Sequence, residues 1–128
     1  MMYEEEVAKN LTELYQRLLN QPLLRKGSAW GDDWPGWERG VKWYPDKVGV
    51  YILWESEDGI KSNLPPVYVG EGLIGPRIWD SFHTRPDWQY AQILTDNLIS
   101  CDSRECRFLR KALERFCIVA LDPHDNID

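Results

Sequence analysis

Hydrophobic residues recur at helical spacing along the first part of the chain. Over residues 3–20 they fall three or four positions apart, which predicts an amphipathic α-helix with one face packed on the rest of the domain: Val7, Leu11, Leu14, Tyr15, Leu18 and Leu19. Pro22 and Gly27 follow this stretch and are expected to end the helix.

A second long helix is predicted near the end of the sequence. Asp102 and Glu105 form a start similar to a capping box, with Asp in place of the usual Ser or Thr. The helix should run to about Leu121, where Pro123 stops it. Its predicted core face consists of Cys106, Leu109, Leu113, Phe116, Cys117 and Ala120.

Two strands are predicted in the middle of the chain. Residues 49–54 are rich in β-branched and aromatic side chains, and residues 67–69 form the returning strand. Asp58-Gly59 lies between them and is a strong hairpin signal. We therefore expect the two strands to be antiparallel neighbours.

The stretch between this hairpin and the last helix predicts two short helices and one strand. Pro76 suits the first position of a helix that runs to about Phe82. The next helix would begin near Pro86 and carry Trp88, Ala91, Ile93, Leu94 and Leu98. Residues 98–101 predict a third strand. The fold class is thus α+β: one domain over residues 1–128, with a small three-stranded, mainly antiparallel sheet flanked by helices.

Residues 27–46 follow no period and combine large rings with glycines and prolines. The rings belong to Trp30, Trp34, Trp37 and Trp43. The segment predicts a loop or extended stretch whose rings plug a small core or cover a sheet edge. The alternative is that the rings stack on nucleic-acid bases.

Composition restricts the class of protein. Among 128 residues, 43% are hydrophobic and 28% charged, as in a soluble globular domain. The three cysteines are odd in number and sparse, which predicts reduced thiols in a cytoplasmic protein rather than a disulfide framework. No second ligand pair follows Cys101 and Cys106 at zinc spacing, so a zinc site is not expected there. The acidic N-terminus is unlike a signal peptide, and no apolar run approaches the roughly 20 residues of a membrane helix. The net charge of −6 argues mildly against a nucleic-acid partner without excluding one.

The glycines at Gly70, Gly72 and Gly75 form a G-x-G-x-x-G array, which raises the possibility of a nucleotide site. A dinucleotide fold needs further parallel strands, but the preceding strand is the second arm of a hairpin and only 53 residues follow Gly75. A P-loop needs Lys and Ser or Thr after its last glycine, whereas Pro76 and Arg77 stand here. No nucleotide cofactor is therefore expected.

The same glycines belong to a longer ordered pattern. Gly49-Val50-Tyr51 and Tyr68-Val69-Gly70 lie on the two arms of the hairpin, and Arg77 follows in the next helix. Glu114 lies on the last helix, with Pro123 nine residues later and Asn126 three residues after that. This order resembles the GIY-YIG nuclease family over residues 49–126 and leaves residues 1–48 outside the resemblance.

The resemblance implies a metal-dependent endonuclease that hydrolyses phosphodiester bonds of nucleic acid, with DNA as the expected substrate. Glu114 would anchor a divalent cation, Mg²⁺ or Mn²⁺, and Arg77 would hold the scissile phosphate. Tyr51 and Tyr68 would orient water and phosphate, one of them as general base. Gly70 and Asn126 would contribute to substrate binding, Gly70 by keeping the backbone close to the phosphate.

Basic residues along the last helix indicate a nucleic-acid surface. They recur three or four positions apart and form a stripe able to follow a phosphate backbone: Arg104, Arg107, Lys111 and Arg115. The alternative is an ordinary solvated face. Sequence specificity would come from this domain or from a protein partner.

Each site residue also has a structural interpretation. The tyrosines can be ordinary strand aromatics, Arg77 a surface charge, and Glu114 a surface acid paired with Arg110 one turn earlier. Glu71 stands where the family usually has a small or basic residue, and the segment from Gly70 to Arg77 is one residue shorter than in many members. These departures and the acidic net charge favour the alternative of a catalytically inactive binding or structural module.

Overall fold

The computed structural model describes residues 2–26 and 47–126, which form an α+β fold with a four-stranded antiparallel sheet flanked by helices. In chain order the elements are α1 (Met2–Leu19), β1 (Leu24–Arg25), β2 (Val48–Trp54), β3 (Tyr68–Leu73), α2 (Ile74–Thr84), β4 (Tyr90–Leu94), α3 (Asn97–Ser100) and α4 (Arg104–Leu121). The tryptophan-rich segment 27–46, predicted as a loop, lies outside these residues. No helix within them combines the length and apolar composition needed to cross a membrane.

The predicted hairpin is confirmed. β2 and β3 pair antiparallel, with Tyr51 opposite Gly70 and Gly49 opposite Gly72. The sheet order is β1-β4-β2-β3, so β3 is an edge strand.

The predicted number of strands is wrong, because the sheet has four strands rather than three. Residues 97–100 form the short helix α3, which Asp96 caps by accepting a hydrogen bond from the Leu98 amide at 2.9 Å. The strand beside β2 is instead β4, in a stretch that predicted a helix. Its residues from Ala91 to Leu94 are all buried. A strand that is buried on both faces has a continuous run of apolar residues in its sequence. The spacing of apolar residues in such a run does not distinguish the strand from a buried helix.

Helices cover both faces of the sheet and divide the core into two clusters. On one face, Leu14 and Leu18 of α1 and Leu109 and Leu113 of α4 pack against inward-facing residues of the central strands, including Ile52. On the other face, α2 packs against the alternate residues of the same strands; this cluster contains Tyr51, Leu53, Ile74, Ile78, Trp88, Ala91 and Ile93. β3 therefore runs along the edge between α2 and α4.

The start of α4 differs from the sequence expectation. Ser103, not Asp102, is the N-cap, and its hydroxyl accepts a hydrogen bond from the Cys106 amide at 3.1 Å. Cys101 and Cys106 form a disulfide with a Cα–Cα distance of 5.6 Å, so the prediction of reduced thiols is wrong for this pair. The turn into α4 brings the two residues within disulfide range despite their short separation in sequence. The predicted cytoplasmic location, which rested on reduced cysteines, loses that support.

Candidate functional site

The two hairpin tyrosines lie on the same face of the sheet. Tyr51 is directly opposite Gly70, and Tyr68 precedes Gly70 by two residues, so all three positions point the same way. The rings of Tyr51 and Tyr68 have centroids 6.1 Å apart. A Cβ atom at Gly70 would collide with the Tyr51 hydroxyl and lie 2.8 Å from Cε2 of Tyr68. The absence of a side chain at Gly70 therefore creates the space that the Tyr51 ring occupies.

Arg77 reaches back from the first turns of α2 toward the end of β3. Gly72 has a φ of +126°, which a glycine adopts at low cost, and a Cβ atom there would lie 3.0 Å from Nε of Arg77. Burial raises the pKa values of both Tyr51 and Glu114, and the positive charge of Arg77 opposes this rise in each case. Arg77 is itself solvent-exposed, so its guanidinium is accessible to an anion beside these groups.

Glu114 reaches the same edge of the sheet from the opposite side. It is half-buried on α4. Burial is the main cause that raises the pKa of Glu114, and the negative charge of Glu71 acts in the same direction. The cations of Lys111, Arg115 and Arg77 oppose the rise. Glu114 on α4 and Arg77 on α2 are thus near enough for the charge of Arg77 to lower the pKa of Glu114.

The other predicted catalytic groups each affect the pKa of the Tyr51 hydroxyl. The ring is 2% exposed, and burial raises the pKa of Tyr51 well above its usual value. Tyr68 and Glu114 raise it further, while Arg77 and Arg85 lower it. Burial thus favours the protonated form of this hydroxyl, which can donate a hydrogen bond. We call the group of Tyr51, Tyr68, Arg77 and Glu114 the β3 site.

Asn126 lies beside the β3 site, and its side-chain amide forms two hydrogen bonds with the backbone of β3. Its Oδ1 accepts from the Val69 amide and its Nδ2 donates to the Val69 carbonyl, each at 2.8 Å. The Asp125 amide also donates to the Val67 carbonyl at 2.8 Å, so the C-terminal segment follows the outer edge of β3. In this arrangement Asn126 fixes the strand that carries Tyr68 and Gly70. Its predicted contact with substrate stays a prediction.

Glu71 lies next to the β3 site and forms ion pairs there. In the sequence alone, this residue stands out only because it differs from the residue usual in the family. Its Oε2 accepts a hydrogen bond from Nε of Arg110 at 2.7 Å, and its Oε1 lies 3.6 Å from Nζ of Lys111. Arg110 is buried and also donates to the Ile99 carbonyl at 3.0 Å. Arg110, which the sequence suggested as a partner for Glu114, is thus bonded to Glu71. The site contains two neighbouring carboxylates, one of them neutralised by an arginine.

Arg85 is a second residue that sequence reasoning missed. It follows the last turn of α2, and its Cζ lies 3.6 Å from the centroid of the Tyr68 ring. Its charge also lowers the pKa of Tyr51. The available sequence signal was weak: Arg85 is a second basic residue about two helical turns after Arg77.

The predicted basic stripe is exposed on α4. All four of its members are solvent-exposed: Arg104, Arg107, Lys111 and Arg115. Lys111 and Arg115 lie near enough to Glu114 to lower its pKa. Arg107 and Arg104 are about two and three turns from Glu114 toward the start of the helix. The stripe therefore extends from the β3 site along α4.

A divalent cation at the β3 site would have few protein ligands. Among residues 2–26 and 47–126, no group of three or more His, Cys, Asp or Glu side chains is placed to hold a metal ion. Mg²⁺ is often bound by one or two carboxylates together with waters and substrate phosphates. Glu114, with Glu71 near it, fits that mode of binding.

The chain was compared with protein-family models, with curated proteins and with solved structures. None of the three comparisons found a significant match.

Proposed function

We propose that the protein is a metal-dependent endonuclease of the GIY-YIG type that hydrolyses phosphodiester bonds in DNA. The observation that carries this proposal is the surroundings of the Tyr51 hydroxyl. Tyr68, Arg77 and Glu114 come from a strand and two helices, yet each affects the charge state of that hydroxyl. The residues that match the nuclease motif in order thus act on one hydroxyl, which supports the proposal.

The side chains supply the groups that phosphodiester hydrolysis requires. Arg77, exposed beside Tyr51, can bind two oxygens of a phosphate through parallel hydrogen bonds. The protonated hydroxyl of Tyr51 can donate to a phosphoryl oxygen or orient the attacking water. Because burial keeps Tyr51 protonated, Tyr51 is a poor candidate for the general base. Tyr68, which is only half-buried, would first have to release its own phenol proton to solvent before it could accept one from that water.

Glu114 would hold the divalent cation. When bound, Mg²⁺ acts as a Lewis acid that stabilises charge on the phosphoryl and leaving oxygens. Glu114 must be ionised for this role, and the charges of Lys111, Arg115 and Arg77 favour its ionised form. Arg110 compensates the second carboxylate, Glu71, which would otherwise repel the phosphate.

Nicking of supercoiled plasmid tests the proposal. Wild-type protein is expected to nick the plasmid with Mg²⁺ or Mn²⁺ and not with EDTA. Glu114→Gln keeps the size of the side chain but loses the charge that would hold the cation, so this variant is expected to lose activity. Glu13→Gln removes the same charge at an exposed position of α1 and serves as the matched control, with wild-type activity expected. Equal nicking by wild type and Glu114→Gln would reject the site.

The alternative is a catalytically inactive module of the same type. The ion pairs of Glu71 with Arg110 and Lys111 favour this alternative. The carboxylate of Glu71 neutralises positive charge that could otherwise bind a phosphate. It predicts no cleavage of duplex, branched or single-stranded DNA by the wild type under any of the metal conditions. Cleavage of one of these substrates that depends on Glu114 would exclude it.

A further inference from the structure

We propose that Arg85 is a second phosphate-binding residue of the β3 site and contacts the DNA backbone together with Arg77. This inference rests on the proposed function and adds to it a substrate contact at the end of α2. It follows from the position, the hydrogen bonding and the electrostatic effect of the Arg85 guanidinium.

The guanidinium is held in place by an aromatic ring. Its Cζ lies 3.6 Å from the centroid of the Tyr68 ring, which is a close cation–π contact. The backbone amide of Arg85 donates to the Ser81 carbonyl at 3.0 Å and so fixes the residue at the end of α2. A group that is stacked and anchored in this way loses little conformational freedom when an anion binds it.

The hydrogen-bonding capacity of Arg85 is incompletely used. Its Nη1 donates to the Thr84 hydroxyl at 3.2 Å. Its Nε is buried and has no hydrogen-bond partner in the part of the chain that the structure describes, and it is the one such buried side-chain atom there. Buried donors are nearly always paired in native proteins, because an unpaired donor is costly. An arginine also presents its donors in a planar array that matches phosphate oxygens.

The location of the charge identifies the kind of partner. Arg85 and Arg77 both lower the pKa of Tyr51, so the charges of two guanidinium groups act on one phenol hydroxyl. Arg85 is half-buried, and Arg77 is exposed. Two arginines on one side of a candidate hydrolytic site are suited to consecutive phosphates, or to two oxygens of a single phosphate.

The salt dependence of duplex DNA binding tests this contact. Binding of a fluorescent 20-base-pair duplex would be measured in EDTA, so that no cleavage occurs, over a series of salt concentrations. Each lost phosphate contact is expected to reduce the slope of log K against log[salt] by about 0.9. We expect this reduction for Arg85→Gln and not for Arg85→Lys, which keeps the charge. Lys9→Gln, an exposed charge removal on α1, should retain the wild-type slope.

A second measurement does not depend on any variant being folded. The Nε–H signal of Arg85 in the NMR spectrum of wild-type protein is expected to shift when the duplex is added. No shift of this signal on saturation with the duplex would overturn the proposal, and so would an unchanged slope in folded Arg85→Gln.

The outcome separates this inference from the proposed function. Cleavage by the wild type with an unchanged slope in Arg85→Gln would reject the role of Arg85 and keep the nuclease. A reduced slope without cleavage under any condition would support the role of Arg85 and reject the nuclease. Absence of duplex binding together with absence of cleavage by the wild type under every metal condition would reject both.

Discussion

Gly70 is the position at which a single added methyl group should disturb the β3 site most directly. A Cβ atom there would overlap the Cζ and hydroxyl of Tyr51, which is 2% exposed and packed in the core. The Tyr51 ring cannot move aside without displacing its neighbours. Forcing extra atoms into a packed core costs about 1–3 kcal/mol, and we expect Gly70→Ala to lower the free energy of unfolding by that amount.

Replacement of Tyr51 should relieve the cost. Tyr51→Leu removes the two closest atoms that a Cβ at Gly70 would meet. The remaining neighbour, Cε2 of Tyr68 at 2.8 Å, belongs to a half-buried ring that can shift, so Gly70→Ala is expected to cost clearly less in that background. The difference between the two backgrounds is the interaction energy of a double-mutant cycle. Urea unfolding followed by circular dichroism gives the four free energies that the cycle requires.

Gly49→Ala provides the matched control. A Cβ atom at Gly49 would overlap the backbone carbonyl oxygen of Leu94, in the adjacent central strand. Backbone in the middle of a sheet cannot rotate away, so Tyr51→Leu should not rescue this substitution. Equal costs of Gly70→Ala in the two backgrounds, or a cost below about 0.5 kcal/mol in the wild type, would refute the packing argument.

Three further expectations concern the surroundings of the site. Arg110→Met leaves the carboxylate of Glu71 without its buried partner and should lower the free energy of unfolding by about 3 kcal/mol. The double variant Arg110→Met with Glu71→Leu should recover much of this loss, as measured by urea unfolding. No recovery would contradict the pairing. Asn126→Ala removes both hydrogen bonds to Val69 and should cost about 1–3 kcal/mol with faster hydrogen exchange at the Val69 amide, and unchanged exchange would refute its role. Because the pKa of Glu114 is raised above 4.5 by burial and by Glu71, its ionised form is lost at higher pH than for an ordinary glutamate as the pH falls. The apparent affinity for Mg²⁺ should accordingly fall at a higher pH than for an ordinary glutamate site as the pH is lowered. This fall should move to lower pH in Glu71→Gln, and a fall that does not move would contradict the coupling.

Local periodicity was enough to predict the long helices and the hairpin. The prediction of a helix over residues 3–20 is confirmed by α1 at Met2–Leu19, and the end of α4 at Leu121 lies where Pro123 predicts it. The pairing of the strands at 49–54 and 67–69 is also confirmed. These elements depend on contacts between residues close in sequence, or on a pattern repeated over several turns, and such information is present in a short window.

Tertiary structure decided the identity of β4. Trp88, Ala91 and Leu94 are three residues apart, which mimics a helical face. In the fold, β4 lies between β1 and β2 and is buried on both faces. Whether an apolar run is a central strand or a buried helix depends on what pairs with its backbone, and the partner strands are distant in sequence. The disulfide likewise depends on the turn into α4 rather than on the spacing of the cysteines.

The sequence by itself determined which residues are candidates for the site, because their order along the chain is the order of a motif. Only tertiary structure decided what surrounds them. Glu71 and Arg110 are 39 residues apart, and they meet because α4 packs along the edge strand. Arg85 reaches Tyr68 because α2 turns back over the same strand. The charges beside a reactive group are set by packing between distant segments, so no local window of sequence contains them.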